Sequence, residues 1–309
     1  MLKYILQRVS YALVTLWVIA TLTFVLMQVM PGDPFRDEKM SPEIRRQLYK
    51  AYGFDKPVIE QYGIYMTNLL QGDLGTSIKY QGRKVQNIIK ASFPKSFSIG
   101  WRALVFAVSF GLVFGIIAAL NHEKVWDYAV IFIAIVGVSV PSIVMGPLLA
   151  YVFGVNLGWL PVTVDETQIS MILPSLALGL GTLAFVSRMM RTTTLEVLRQ
   201  DYIQTAKAKG LSRSQIVRRH IIRNAIMPVV TILGPLCASI ITGSIVVEKV
   251  FAVAGLGEYF TTTILEADYP MIMGITIFYA VLIILSMLVV DIAYGIIDPK
   301  MRATAAKGR

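Results

Sequence analysis

The chain has 309 residues, 55% of them hydrophobic and 16% charged, against about 45–50% apolar and about 25% charged in soluble domains, which points to a membrane protein. Its formal charge of +10 fits nucleic acid, anionic lipid or basic loops on one membrane face, and the placement of the charges must decide. One cysteine, Cys237, lies in an apolar stretch, which excludes an internal disulfide or a cysteine metal cluster and leaves a small buried residue.

Lys3 and Arg8 precede a run uncharged from Val9 to Gly32. That is too long for a signal-peptide core, and Met30-Pro31-Gly32-Asp33 replaces a small-residue cleavage site, so residues 1–32 read as an uncleaved anchor span. Residues 33–98 are polar enough to leave the bilayer. Ser41-Pro42-Glu43 supplies a cap, a first-turn proline and an acid at the positive end of the helix dipole, and predicts a helix that stops at Gly53. Pro57 predicts a second helix to about Leu70, ended by Gly72. Gly72-Asp73-Leu74-Gly75-Thr76-Ser77 is a turn cluster, and a third amphipathic stretch, about Lys84 to Ser92, leads to Pro94 and the second span. Tyr52, Ile59, Tyr62 and Tyr65 suit packing on the membrane part or on a partner; a cap that packs only on its own chain is the plainer alternative.

Five further uncharged windows follow: Ala103–Asn121, Tyr128–Val164, Thr167–Ser187, Asn224–Val247 and Tyr269–Val290. Pro141, Pro147 and Gly154 interrupt the overlong third, whose helix is expected to end near Phe153. The sixth span is expected to run past Asp291 to Ile297. The fold class is an all-α integral membrane protein with six transmembrane helices and a small helical extracytoplasmic segment. Its parts are the anchor 1–32, the segment 33–98 and a membrane domain 99–303, with spans at about 99–121, 128–153, 170–190, 225–248 and 271–297 and a loop at 191–224.

Arg188, Arg191, Arg199, Lys207, Lys209, Arg213, Arg218, Arg219 and Arg223 crowd the segment between spans four and five, opposed only by Glu196 and Asp201. Stretches 155–171 and 250–270 contain neither Lys nor Arg. The basic loop and both termini are therefore expected in the cytoplasm and residues 33–95 outside. The net charge becomes topological, and a nucleic-acid partner loses its support. Asp291, an acid near the inner end of span six, is expected to pair with Arg188 or Arg191 or to reach the surface.

Within the basic loop, Asp201-Tyr202-Ile203-Gln204 and Ser212-Arg213-Ser214-Gln215 both have capping-box spacing, with Gly210 placed to end the first helix. They predict helices at about 202–209 and 213–226, a rigid projection, before Pro228 opens span five. Thr205, Ala206 and Ala208 permit close approach by another surface; a basic amphipathic loop on the inner leaflet is the plainer alternative.

Gln204-Thr205-Ala206-Lys207-Ala208-Lys209-Gly210 resembles the cytoplasmic "EAA" loop of bacterial binding-protein-dependent ABC importer permeases. Gln204 and Thr205 depart from the usual Glu and Ala, and Pro228 arrives late, departures that resemble the peptide/nickel branch. Asp201-Tyr202, Leu211 and Arg223-Asn224-Ala225 fit that branch, as do Pro31-Gly32-Asp33-Pro34, Gly53-Phe54-Asp55-Lys56-Pro57, Gly72 to Ser77, Ser139-Val140-Pro141-Ser142, Leu157-Gly158-Trp159-Leu160-Pro161, Gly255-Leu256-Gly257, Asp268-Tyr269-Pro270 and Asp298-Pro299. Ala254 departs where proline commonly precedes Gly-Leu-Gly. The chain most resembles the B-type membrane subunits of oligopeptide permeases.

The resemblance implies a type I ABC importer transmembrane fold in the bacterial cytoplasmic (inner) membrane. It implies a second related permease subunit, two cytoplasmic ATPase subunits, an external substrate-binding protein and a peptide substrate, amid membrane lipid. It also implies that Asp201, Tyr202, Gln204, Thr205, Ala206, Lys209, Gly210 and Leu211 form the ATPase-coupling elbow. No phosphate-binding G-x-x-x-x-G-K-[ST] loop exists, so no cofactor is expected on this chain, and ATP and magnesium belong to partner subunits. Thr231, Ser239, Thr242, Ser244 and Glu248 are candidates for the substrate path, Gly243 flanks them, and Glu248 and Lys249 are candidate gate residues; helix packing is the competing use of small residues in spans. Nickel, glutathione or another small solute is the alternative cargo. A secondary transporter fits poorly without repeated halves or several intramembrane charges. An intramembrane hydrolase lacks a Ser–His pair, since His122 and His220 are the only histidines and both fall at cytoplasmic positions.

Overall fold

A computed structural model describes residues 2–30, 32–35, 40–80, 82–165 and 167–297, with the side chains of 2–5 and 291–297 outside the description. Pro31, Asp298, Pro299 and the Asp291 side chain, all of which carried sequence expectations, lie outside the described residues. The described chain is helical, with a single isolated antiparallel bridge between Thr76 and Lys84. Its helices are α1 (Leu2–Val29), α2 (Pro42–Ala51), α3 (Val58–Leu70), α4 (Val85–Leu120), α5 (Val125–Ser139), α6 (Ser142–Leu149), α7 (Ile172–Leu198), α8 (Asp201–Ala208), α9 (Arg213–Ile216), α10 (Ile222–Ala225), α11 (Met227–Ile241), α12 (Ile245–Val250), α13 (Leu256–Leu265) and α14 (Tyr269–Ile297).

Four of these, α1, α4, α7 and α14, are each long and apolar enough to cross a bilayer. Two bent pairs supply the rest: 125–139 with 142–156, bent by 109°, and 213–225 with 227–241, bent by 47°. Counting each pair as one span gives six. The 109° bend corrects the expectation of one helix running to about Phe153. Its cause is local. Val140, which precedes Pro141, is forced out of the helical region to φ −92° and ψ 113°. Beyond Pro141 the chain restarts as α6 and continues as a π-helix over Ala150–Asn156.

The chain divides into two compact units: Lys95–Gly255 with the chain from Ile283, and Leu2–Pro94 with Leu256–Leu282. In the first, small residues bring helices together, as is usual where lipid removes the hydrophobic drive for helix association. Gly111 and Gly115 lie one turn apart on α4 and face α7. A Cβ at Gly111 would stand 2.9 Å from the Val186 Cβ, and one at Gly115 would stand 2.6 Å from both the Met190 Cβ and the Ser187 carbonyl. On α5, a Cβ at Gly137 would meet the Ala184 Cβ at 2.9 Å. Behind these contacts Val186, Met190, Ala225 and Val229 form a buried cluster.

In the second unit Ser41 caps α2, with Pro42 in its first turn and Gly53 at φ +73° beyond its end, as the sequence predicts. Tyr62 and Tyr65 of α3 lie on Phe24 of α1, with ring centroids 5.3 and 5.8 Å away, and the Tyr62 and Thr21 hydroxyls are 2.8 Å apart. Tyr52 joins Phe35, Tyr49 and Phe54 in a ring cluster, while Ile59 stays exposed. The third amphipathic stretch is not a separate helix, because α4 passes through Pro94 without interruption. Proline lacks the N–H that would bond back along the helix. Packing before it carries the helix through: Val85, Ile88 and Ile89 are buried, and Phe93 lies edge-on to Phe278 at 4.8 Å.

Candidate functional site

The segment that leaves α7 turns twice within a few residues. Gln200 is extended at φ −74° and ψ 145°, and α8 begins at Asp201. This corrects the first expected capping box: Asp201 is inside the helix, and the cap position is Gln200, with no side-chain capping bond. Asp201 still places a negative charge at the positive end of the α8 dipole. Gly210 at φ +74° then reverses the chain in a left-handed conformation that glycine adopts without strain. The second capping box forms. Ser212 Oγ accepts from the Gln215 amide at 3.4 Å, and Gln215 Oε1 accepts from the Ser212 amide at 2.9 Å. From there α9, a π-helix over Val217–Ile221 and α10 run unbroken to Ala225.

The elbow has two faces. Ile203 and Ala206 of α8 are buried with Ile216 and Ile221, over Leu120 at the end of α4 and Val197 and Leu198 at the end of α7. Ala206 was expected to receive a partner; it is spent on the chain's own core, and Leu211 is half-buried beside it. The other face carries Asp201, Tyr202, Gln204, Thr205, Ala208, Lys209 and Gly210, all exposed. Six of the eight predicted elbow residues therefore share one accessible surface, and the remaining two lie beneath it.

A buried ion pair fastens the same region. Asp127 of α5, 1% exposed, accepts from Arg191 of α7 through Nε at 2.6 Å and a terminal guanidinium nitrogen at 2.8 Å. It also accepts from the Glu123 amide at 3.0 Å, and His122 Nδ1 lies 3.0 Å away. Arg191 thus has Asp127 as a partner, a pairing the sequence reading does not foresee. The clue was available: Asp127 directly borders an apolar window, and an acid at that depth needs a partner. One turn on, Thr193 Oγ1 donates to the Ala225 carbonyl at 2.8 Å and ties α7 to the far end of the elbow.

The candidate path residues separate. Thr231 and Ser239 are exposed on α11, eight residues apart with the exposed Pro235 between them, and Thr242 follows half-buried. Their hydroxyls bond to carbonyls of Met227, Leu236 and Ser239 at 3.0–3.1 Å, which satisfies them within the helix. Ser244 is half-buried, and its carbonyl accepts from the Glu248 amide at 2.8 Å. Glu248 is 2% exposed and accepts from Ser96 Oγ at 2.7 Å, so it does not line an open surface; Lys249 beside it is exposed. Gly243 and Gly255 wall it in. A Cβ at either would stand 2.4 Å from atoms of the Glu248 carboxyl group.

The family described as binding-protein-dependent transport system inner membrane component matches residues 111–303, and the N-terminal part of such membrane components matches residues 1–100. The chain belongs to this family. The dipeptide transport system permease protein DppB of Bacillus subtilis is 45% identical over 303 residues, covering 98% of each chain. The oligopeptide transport system permease protein OppB of Haemophilus influenzae is 42% identical over 305 residues, covering 98% of this chain and all of that one. The OppB of Escherichia coli K12 is 39% identical over the same length. A chain of the methionine ABC transporter MetNI, solved in inward-facing conformations, superposes with a TM-score of 0.53 at 16% identity and covers 69% of this chain and 97% of that one. The type I importer transmembrane fold expected from the sequence is thus the fold found.

In this inner membrane component the two family matches end and begin at residues 100 and 111, both inside α4. The N-terminal part is therefore joined to the rest by a continuous helix and not by a linker.

Proposed function

We propose that this permease component is one of two related membrane subunits of an ATP-driven importer that passes peptides from an external binding protein to the cytoplasm by alternating access. The kinship with dipeptide and oligopeptide permeases over nearly the whole chain supports the peptide cargo. The two-faced elbow carries the mechanical part of the reading. A helix pinned underneath by Ile203 and Ala206, with Tyr202, Gln204, Thr205 and Lys209 free above, suits a lever that receives a push from a partner surface. The partners are two cytoplasmic ATPase subunits, which hold ATP and magnesium. Closure of the ATPases moves the elbow, and the buried Asp127–Arg191 pair and the Thr193–Ala225 bond pass that movement to α5, α7 and α11. Both termini and the elbow lie in the cytoplasm, and residues 33–98 face outward. Thr231, Ser239 and Thr242 face the path, where small hydroxyls satisfied within their helix offer a smooth wall to peptides of varied sequence. Glu248, locked under Ser96, shapes the outer end of this wall from behind.

Purification of the tagged chain from its native membrane in mild detergent tests this reading. The expected result is a complex with a second six-span subunit and two nucleotide-binding subunits that takes up labelled peptide in vesicles when ATP is present. A chain that purifies alone or as a homodimer, with no ATPase, contradicts it.

A further inference from the structure

Asp268 lies between α13 and α14 and is completely buried. Its carboxylate is surrounded by donors. Ser77 Oγ donates to Oδ2 at 2.5 Å, the Lys79 amide to Oδ2 at 3.1 Å, the Ile78 amide to Oδ1 at 3.1 Å, and the Met271 amide to Oδ1 at 3.3 Å. One side chain thus caps the first turn of the sixth span and holds three consecutive residues of the loop 72–84, more than 180 positions earlier in sequence.

The surroundings make this a joint and not an isolated contact. Ser77 Oγ also accepts from the Tyr80 amide at 2.8 Å, and the Ser77 carbonyl accepts from the Tyr52 hydroxyl at 3.1 Å. Tyr269, next to Asp268, lies edge-on to Phe54 at 5.9 Å and donates from its hydroxyl to the Gly32 carbonyl at 3.2 Å. Gly274, one turn and a half into α14, has no room for a Cβ, which would stand 2.6 Å from Val85. The segments Gly32-Asp33, Gly53-Phe54, Gly72 to Ser77 and Asp268-Tyr269-Pro270, scattered in the sequence, meet here. The proposed function gives these segments no role of their own.

We infer that Asp268 is a positioning residue that locks the segment 33–84 to the outer end of span six, so that a load placed on that segment by the external binding protein is delivered to α14. The inference rests on the proposed function for its orientation and for the binding protein. The lock depends on a full carboxylate. Three of its four donors are backbone amides, which cannot reverse, and both oxygens face at least one of them. An asparagine at this position must turn its NH2 toward one or two of those amides whichever way it flips. Ser77, by contrast, can reverse its hydroxyl. Loss of a hydrogen bond to a buried charged group corresponds to about a tenfold change or more in the population of the locked state.

The test uses the assembled transporter in nanodiscs, with ATP hydrolysis measured without and with peptide-loaded binding protein. Asp268→Asn and the milder Ser77→Ala are compared with the unaltered complex, and trypsin cleavage after Lys79 and Arg83 reports release of the loop. The expected result is normal assembly and basal hydrolysis, faster cleavage, and stimulation by loaded binding protein reduced about tenfold in Asp268→Asn and less in Ser77→Ala. Full stimulation in both variants overturns the inference, whether or not the loop is released. Equal loss of basal and stimulated hydrolysis in both variants also overturns it, since the residue then serves stability alone. An unaltered complex that ignores the loaded binding protein removes the proposed function itself, and the inference with it, and is told apart by that control.

Discussion

Replacing Arg191 with methionine removes two of the four polar contacts of the Asp127 carboxylate and leaves His122 and the Glu123 amide, each 3.0 Å away. The Asp127 side chain is 2% exposed, so water cannot take over the lost donors. Breaking one side of a buried ion pair costs about 3–5 kcal/mol, because the surviving charge stays desolvated. Arg191 is itself 20% exposed, which places the expected loss near the lower bound, about 3 kcal/mol. At about 2 °C per kcal/mol for a large chain, the thermal midpoint of the purified complex should fall by about 6 °C. The double variant Asp127→Leu with Arg191→Met removes both charges together and should recover most of that loss, since an apolar pair of similar volume is often as stable as the ion pair it replaces. Thermal unfolding followed by intrinsic fluorescence in detergent reads both. A single variant within 1 °C of the unaltered protein, or a double variant that loses as much as the sum of the singles, refutes the argument that this pair fastens α5 to α7.

Four other outcomes follow from particular contacts. Gly115→Leu forces a side chain between α4 and α7 where a Cβ alone would stand 2.6 Å from Met190. It should destabilise by about 1–3 kcal/mol or prevent assembly, with Gly63→Leu, which meets nothing within 4 Å, as the harmless control. Gly210→Val places a branched side chain at φ +74° and should cost about 1–2 kcal/mol, and uptake should fall more than chain abundance on immunoblots if elbow shape matters to coupling. Gly255→Ala drives a methyl group into the Glu248 carboxylate, and peptide uptake should fall while the complex still assembles on gel filtration. Acid should loosen the 72–85 loop. The Gly75 amide, ahead of Lys84 and Gln86, holds the Asp73 carboxyl below the ordinary carboxylate range, with partial desolvation opposing. A folded-state pKa below the unfolded one gives stabilisation that is present in full above about pH 4 and is lost as pH falls through the folded value. Exchange of the Gly75 amide between pH 5 and pH 3 should show extra opening at the acid end, and Asp73→Asn should remove that dependence.

Span count and the capped starts of α2 and α9 were legible because each rests on a short-range rule. An apolar window must cross a bilayer, and Ser-Pro-Glu or Ser-x-x-Gln closes a helix end within four residues. The helix–glycine–helix form of the 201–225 segment follows from Gly210 and the Ser212 cap, but which of its residues stay exposed does not. What escaped was tertiary. Pro94 reads as the break ahead of span two and Pro141 as an interruption within the third window, yet packing before it carries α4 through the first while the second turns its chain by 109°. Capping-box spacing at Asp201 matched, but the chain placed Gln200 at the cap and drew Asp201 into the helix. Ala206 and Glu248 look available by composition and are taken up by Ile216 and Ser96, residues that no local pattern connects to them. Asp127–Arg191 and Ser77–Asp268 join positions 64 and 191 residues apart, beyond any periodicity.

In the proposed function α8 presents one face to an ATPase and keeps the other for its own chain. Single cysteines at Tyr202, Thr205, Ile203 and Ala206, placed in a Cys237→Ser background and paired with cysteines around the elbow-facing groove of the ATPase, test that division directly. Disulfide cross-links to the ATPase from positions 202 and 205, changing in yield between nucleotide-free and ATP-bound complexes, with none from 203 and 206, are the predicted result. Cross-links of equal yield from all four positions, or none from 202 and 205 in a complex that hydrolyses ATP, would contradict it.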